Sequence, residues 1–289
     1  MHKKIFKKFY NLNDSEWIDL LFQSVDSQDI RSIIFPGFPD EKIQIGMIGS
    51  SGKNALYDPR YMYQEIRRIA AEQKLIFNKK TTLLDFACGY GRNVRFFMKD
   101  IYPGNLYGSD VRTDFIDICR NTFSCTENKG GVIFDINTPF PPLKYKKKKF
   151  DIIMAYSLFS HLSEKAHLAW LKEFSRILKP DGLLFLTIRQ KEFLNSLQKM
   201  SVNDENISNY DRMLIEKLGT TSIQKFFDDG EYIFNPSGGG HQLTNDFFGD
   251  TVIPDKYIHT KWVEWFDIIE HYDDSSRLSQ AFICLKPKK

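Results

Sequence analysis

The sequence predicts an α/β fold with a seven-stranded sheet, mostly parallel and with an antiparallel strand near its C-terminal end. Three observations carry this. From residue 83 onward, short apolar runs alternate with segments of helical period. One run passes through small residues straight into a helical pattern, at Leu83-Leu84-Asp85-Phe86-Ala87-Cys88-Gly89-Tyr90-Gly91-Arg92-Asn93. The chain then closes on two extended segments, Trp265 to Tyr272 and Ser279 to Leu285.

Length and composition bound the rest. At 289 residues there is room for one large domain, or a domain with a modest cap, and 42% hydrophobic content is that of a globular chain. A net charge of +3 argues against broad nucleic-acid binding, which calls for a strongly basic domain. Cys88, Cys119, Cys125 and Cys284 are scattered without metal-ligand spacing, so they are expected to be reduced thiols. No apolar run approaches the ~18 residues of a membrane span. The basic N-terminus lacks the apolar stretch of a signal peptide, and the expectation is a cytoplasmic protein without membrane insertion.

In chain order, residues 14 to 26 read as a helix with Trp17, Leu20, Leu21 and Val25 on one face. Residues 43 to 48 alternate and run into a Gly/Ser loop, which is either a lid or a plain surface turn. Gly52-Lys53-Asn54 is not a phosphate loop, because the earlier glycine and the Ser/Thr are missing. Asp58-Pro59 opens the next helix as cap and first-turn proline. Tyr57 and Tyr61 at its start either pack or reach a ligand.

At the glycine turn, Asp85 ends the first strand, and Gly89 and Gly91 allow backbone conformations that a side chain would block. A ligand can approach there, near a helix N-terminus. A dinucleotide fingerprint wants a third small residue where Val94 stands, so that reading fails. Residues 93 to 101 read as a helix. Asn105 to Asp110 is the second strand, and Asp110 ends it at about the distance where a carboxylate grips ribose hydroxyls. A helix over 113 to 123 and a third strand ending in Asp135 and Ile136 follow. The lysine run 144 to 149 is a solvated loop or a landing site for substrate phosphates. Phe150 to Ser157 is the fourth strand, 163 to 178 a helix stopped by Lys179-Pro180-Asp181-Gly182, and 182 to 188 the fifth strand. Helices over 191 to 199 and 208 to 218, an extended piece at 232 to 234 and Pro236-Ser237-Gly238-Gly239-Gly240-His241 form an insertion. A helix over 255 to 265 precedes the closing strand pair.

With Asp85, Ala87, Gly89 and Gly91 in place, the chain resembles the class I S-adenosylmethionine-dependent methyltransferases over residues 82 to 188. Ala87 stands where the family most often has glycine. The resemblance implies a Rossmann-like core and S-adenosylmethionine as donor, leaving as S-adenosylhomocysteine, with no metal. It assigns donor contacts to Asp85, Ala87, Gly89, Gly91, Asp110, Val111, Asp135, Ile136 and Tyr156. Asp135 is the acid expected to accept from the adenine amino group. The division it suggests is an N-terminal helical extension and lid (1 to 78), a donor-binding core (79 to 188), a substrate cap (189 to 254) and a closing segment (255 to 289).

The clamp of nucleobase-amine methyltransferases is absent from Met154-Ala155-Tyr156-Ser157. Instead, Tyr156 to Leu162 resembles the branch that modifies small molecules and sugars. The implied acceptor is a sugar or nucleotide-sugar hydroxyl, in capsular or other surface-polysaccharide synthesis, and the implied assembly is a monomer or homodimer. An amine acceptor, or donor binding without turnover, are the alternatives. A hydroxyl needs a base. Of six histidines, His2 reads as tail, His167 lies within a helix, and His259 and His271 lack a constellation. His161 and His241 remain as catalytic candidates, His161 as base or as a brace of its loop. Asp246 and Asp250 follow His241 at a spacing that a metal site would also use.

Overall fold

The computed structural model describes residues 1–123, 131–189, 191–199, 207, 209–218 and 223–288. Cys125 lies outside the described residues, as does part of the 189 to 254 insertion. The chain divides into two compact units, one of residues 1–137, 149–154 and 181–183, the other of residues 138–148, 155–180 and 184–289.

The first unit begins with α1 (His2–Phe9), which buries Ile5, Phe6 and Phe9 and exposes its lysines. His2 is therefore not tail. Its buried ring Nε2 lies 3.1 Å from Met98 O and 3.0 Å from Ile101 O. Helix α2 (Asp14–Asp26) starts at a capping box between Asn13 and Glu16. It buries Trp17, whose Nε1 donates to Phe96 O at 2.6 Å. Strands β1 (Asp29–Ile30) and β2 (Ile33–Ile34) form a small hairpin turned by Arg31 and Ser32, both with positive φ. The alternating segment is a helix, α3 (Glu41–Ile48), ended by Gly49 at φ +73°. Its alternation is a coincidence of exposed Ile43, Ile45 and Met47 around a buried Gln44. Helix α4 (Tyr57–Glu72) is entered from a 3₁₀ turn with Leu56 at its cap, so Asp58 and Pro59 lie in the first turn.

Strand β3 (Leu83–Phe86) is wholly buried. Residues 93 to 101 do not form the expected α-helix but a 3₁₀ turn at Val94–Phe97 and further turns. The carbonyls of Phe96, Met98 and Ile101 are taken by Trp17 and His2 instead, groups that only the fold brings near. Next come β4 (Leu106–Asp110), α5 (Thr113–Thr122), β5 (Ile133–Ile136) and β6 (Phe150–Ala155). Helix α6 (Glu164–Ile177), capped by Ser163, leads directly into β7 (Leu178–Ile188). The stop signal Lys179-Pro180-Asp181-Gly182 is thus the start of a long strand, where a proline is tolerated.

In the second unit, α7 (Lys191–Lys199), α8 (Asn209–Leu218) and α9 (Ile223–Asp229) join the hairpin β8 (Ile233–Asn235) and β9 (Asp250–Val252). Leu194, Leu214, Phe226, Ile233 and Val252 form their shared core. Helix α10 (Asp255–Lys261) buries Tyr257 and Ile258 and gives way to a 3₁₀ turn. Strands β10 (Phe266–Tyr272) and β11 (Ala281–Pro287) end the chain.

Seven strands hydrogen-bond in the order β10-β11-β7-β6-β3-β4-β5. β3 is parallel to β4 and β6, and β4 to β5, while β11 is antiparallel to both β7 and β10. Numbered by appearance within the sheet, β5-β4-β3-β6-β7 is 3-2-1-4-5, the doubly wound order. The switch point, where such sheets bind ligands at their strands' carboxyl ends, falls at β3 and β6.

Candidate functional site

The carboxyl ends of β3, β4 and β5 bring most of the expected donor residues to one edge of the first unit. Register sets Phe86 beside Ser109, Ser109 beside Asp135, and Asp110 beside Ile136. After β3 the chain turns through three left-handed residues, Ala87 (φ +59°), Gly89 (φ +52°) and Gly91 (φ +78°). A Cβ on Gly91 would stand 2.7 Å from a ring carbon of Phe123, so that glycine is also sterically required.

Asp85 is fully buried, and neither carboxyl oxygen has a hydrogen bond of good geometry. Burial pushes its pKa up to about 8, Arg92 opposes the rise and Asp110 adds to it. Asp110 is differently placed. Its Oδ2 accepts from Gly89 N at 2.8 Å and its Oδ1 from Arg112 N at 2.9 Å. Each oxygen keeps acceptor capacity for a hydroxyl, and burial raises this carboxyl too. Val111 and Asp135 are half-buried and Ile136 is 47% exposed at the same edge.

These residues fit the donor that the resemblance implies. A buried carboxylate with unbonded oxygens suits an ammonium group, two spare acceptor sites suit a ribose diol, and an exposed isoleucine suits the face of a planar base.

Tyr156, the remaining expected donor contact, belongs to the second unit, where its hydroxyl lies 3.0 Å from Ser279 Oγ. The next residue, Ser157, has φ +56°. Its N–H donates to Thr187 Oγ1 at 2.7 Å, Thr187 donates to Gln280 Oε1 at 2.7 Å, and Gln280 Nε2 returns to Ser157 Oγ at 2.6 Å. This closed ring holds the turn that leads to His161.

His161 is the best-built side chain in the second unit. Residues 160 to 163 run antiparallel to 247 to 251, through Gly249 N to His161 O at 2.8 Å, Thr251 N to Ser160 O at 2.9 Å and Ser163 N to Phe247 O at 2.8 Å. The imidazole stacks on Phe248 at 5.0 Å between centroids. Its Nδ1 lies 2.8 Å from Gly249 O. A carbonyl only accepts, so Nδ1 carries the proton and Nε2 of the neutral ring presents its lone pair. The side chain is 29% exposed. Its pKa is lowered, first by desolvation and then by the Arg189 charge, against the Gly249 carbonyl and Asp250. Asp250 Oδ1 lies 4.0 Å from Nδ1 and is ion-paired with Arg189.

The other histidines divide plainly. His241 is exposed in a tight turn closed by Leu243 N to Gly240 O at 2.9 Å, and among the described residues no hydrogen bond or ion pair reaches its side chain. His167 is buried, with Nδ1 3.0 Å from the Tyr232 hydroxyl, which itself donates to Leu162 O. Asp246 accepts from Thr244 and Asp250 turns to Arg189. No group of three His, Cys, Asp or Glu side chains among the described residues is arranged to hold a metal ion. The exposed lysines 144 and 146 to 148 lie in a loop.

Asp250 and Arg189 were not legible as neighbours of His161, since only the pairing of distant segments unites them. The one available signal was Asp250, noted as a metal candidate rather than as the ionic neighbour of a histidine. A cavity of about 370 Å³ lined by Tyr10, Asp14, Arg67, Phe77, Lys99 and Asp100 among others was not legible either. Its charges compensate one another, Lys99 Nζ lying 2.9 Å from Asp14 and 2.7 Å from Asp100.

Residues 83–182 match the family described as a methyltransferase domain. No curated protein matches the chain by sequence. Among solved structures, the chain is similar to an S-adenosylmethionine-dependent methyltransferase from Clostridium acetobutylicum, at 14% identity and TM-score 0.51, covering 96% of this chain and 100% of that one. It is also similar, at 13% identity and TM-score 0.51, to a chain of the complex between the Haloferax volcanii Trm112 methyltransferase activator and a methyltransferase, covering 87% of this chain and 100% of that one. At such identities the likeness is one of fold.

Proposed function

We propose that this chain, of which residues 83–182 match a methyltransferase domain, is an S-adenosylmethionine-dependent methyltransferase that methylates a sugar hydroxyl with His161 as general base. The acceptor class we favour is a nucleotide-activated sugar used in cytoplasmic steps of surface-polysaccharide synthesis.

One observation carries the reading: Gly249 O fixes the proton on Nδ1 of His161, which leaves Nε2 free to accept one. An amine acceptor would need less of such a base. The sugar part rests on the resemblance of Tyr156 to Leu162 and on the 189 to 254 insertion. In this scheme Asp85 and Asp110 hold the donor's ammonium and ribose hydroxyls, with Gly89 and Gly91 leaving the backbone bare. Bound donor supplies a methyl group on a sulfonium sulfur, which departs as S-adenosylhomocysteine. His161 Nε2 takes the hydroxyl proton as the oxygen gains the methyl group, and Asp250 offsets the imidazolium that results. Phe248 holds the ring in plane.

The test is incubation with S-adenosylmethionine and a panel of nucleotide-sugars, free sugars and amines, read by mass spectrometry. A nucleotide-sugar gaining one CH₂ supports the reading. An amine product, formed equally well by His161→Ala, overturns it.

A further inference from the structure

Helix α3 buries its polar residue and exposes its apolar ones. Gln44 is buried, its Nε2 donating to Pro39 O at 2.7 Å and its Oε1 accepting from Gly52 N at 3.1 Å. Ile43, Ile45 and Met47 are 37, 50 and 36% exposed. A helix that served only to cover a core would show the reverse. Ile43 and Met47, one turn apart, share an edge.

That edge meets the donor loop. A Cβ on Gly89 would stand 1.9 Å from Met47 Cε and 2.7 Å from its Sδ. Met47 therefore occupies the side of Gly89 on which a larger residue would project. The N–H of the same glycine donates to Asp110 Oδ2 at 2.8 Å. A ligand that lies along Gly89 and reaches the Asp110 carboxylate meets the Met47 methyl group first.

We infer that Met47 is a displaceable occupant of the donor site: its side chain holds the place along Gly89 that the donor's amino-acid chain takes, and α3 yields as the donor enters. The inference rests on the reading that the Asp85–Gly91 loop holds the donor. Its chemistry suits the exchange. Methionine is an unbranched, flexible thioether like the CH₂–CH₂–S stem of the amino-acid arm of S-adenosylhomocysteine, so the two stems compete for the same place along Gly89. The helix also has points of bending. It ends at Gly49 (φ +73°), and Gly52 (φ +60°) follows, both in conformations suited to glycine. Gly46, inside α3, has open space where a side chain would stand.

The consequence is quantitative. Donor affinity is reduced by the fraction of time that Met47 is off Gly89, so an occupancy of about nine-tenths weakens apparent binding about tenfold. Calorimetric titration with S-adenosylhomocysteine of the full chain, Met47→Ala and Asp110→Asn tests this. Met47 is partly exposed, so its truncation does not endanger the fold. Met47→Ala is expected to bind several-fold tighter, up to about tenfold. In the unaltered chain the ¹³C-labelled Met47 methyl resonance is expected to shift as the ligand saturates. Equal or weaker binding by Met47→Ala overturns the inference, as does a methyl resonance unmoved at saturation. Asp110→Asn separates the two claims. If it binds as tightly as the unaltered chain, the loop is not the donor site and the underlying reading fails. If it loses affinity while Met47→Ala gains none, the Met47 inference alone fails.

Discussion

Asp85 is the residue whose environment is hardest to reconcile with stability alone. Its carboxyl is buried, without a hydrogen bond of good geometry, and raised to about 8 from 3.8. A carboxyl raised on folding stabilises the protein fully below pH 3.8, and that contribution is lost as pH rises toward about 8. Asp85→Asn, which cannot ionise, is therefore expected to melt higher than the parent at pH 8, by roughly 1–3 kcal/mol, while losing affinity for S-adenosylhomocysteine. Melting curves at pH 5 and pH 8 check it, the gain appearing at the higher pH. Ala87 gives a second residue-scale outcome. An L-residue held at φ +59° is strained by roughly 1–2 kcal/mol, offset in part by the entropy a glycine would bring. Ala87→Gly should thus raise stability by up to about 1 kcal/mol in denaturant titration. His161 supplies the third. Its pKa lies below 6.5, so its neutral form persists below that pH and the acid limb of kcat/KM is expected below 6.5. The positions of Asp85, Asp110 and Asp135 at the carboxyl ends of β3, β4 and β5 were legible because each lies in the last two residues of a short apolar run. The neighbours of His161 were not, because Gly249 and Asp250 lie far along the chain and reach it through pairing that no local pattern announces.

At the scale of elements, the helices with strong caps and one apolar face were readable. Asn13 and Glu16 mark the start of α2, and Ser163 that of α6. The misreadings share a physical cause, which is that tertiary partners override local preference. Alternation at 43 to 48 suggested extended chain, yet a buried Gln44 hydrogen-bonded at both ends fixes a helix. Residues 93 to 101 have helical periodicity, but the carbonyls of Phe96, Met98 and Ile101 bond to Trp17 and His2, and others close only short turns. Trp17→Phe isolates that effect. It keeps the apolar bulk and leaves Phe96 O without the indole donor, an expected cost of about 1–3 kcal/mol in chemical denaturation.

For the whole molecule, the seven strands and their mostly parallel run were implicit in the alternation of strand and helix, and the antiparallel partner in the closing pair. The division into units was not. Residues 149–154 and 181–183 belong with the N-terminal half although the sequence places them far downstream, because strand neighbours rather than chain neighbours define the contacts. The residues proposed to hold the donor, Asp85, Gly89, Gly91, Asp110 and Asp135, all fall in the first unit, and His161, Arg189 and Asp250 in the second. S-adenosylhomocysteine at a hundred times its Kd should therefore stabilise the first unit by about 2.7 kcal/mol. Differential scanning calorimetry would show the corresponding rise in the transition that contains it.

Methyl transfer to a hydroxyl with His161 as base is decided by comparing the unaltered chain with His161→Ala. The unaltered chain and His161→Ala are given S-adenosylmethionine and the nucleotide-sugar panel, and S-adenosylhomocysteine and methylated product are measured together at pH 7.5. The expected result is stoichiometric formation of both by the unaltered chain and a fall of about 10²- to 10⁴-fold in kcat for His161→Ala, with S-adenosylhomocysteine binding unchanged. Turnover by His161→Ala at the parent rate would rule out His161 as the base, and tight donor binding by the parent with no acceptor methylated would rule out the methyl transfer itself.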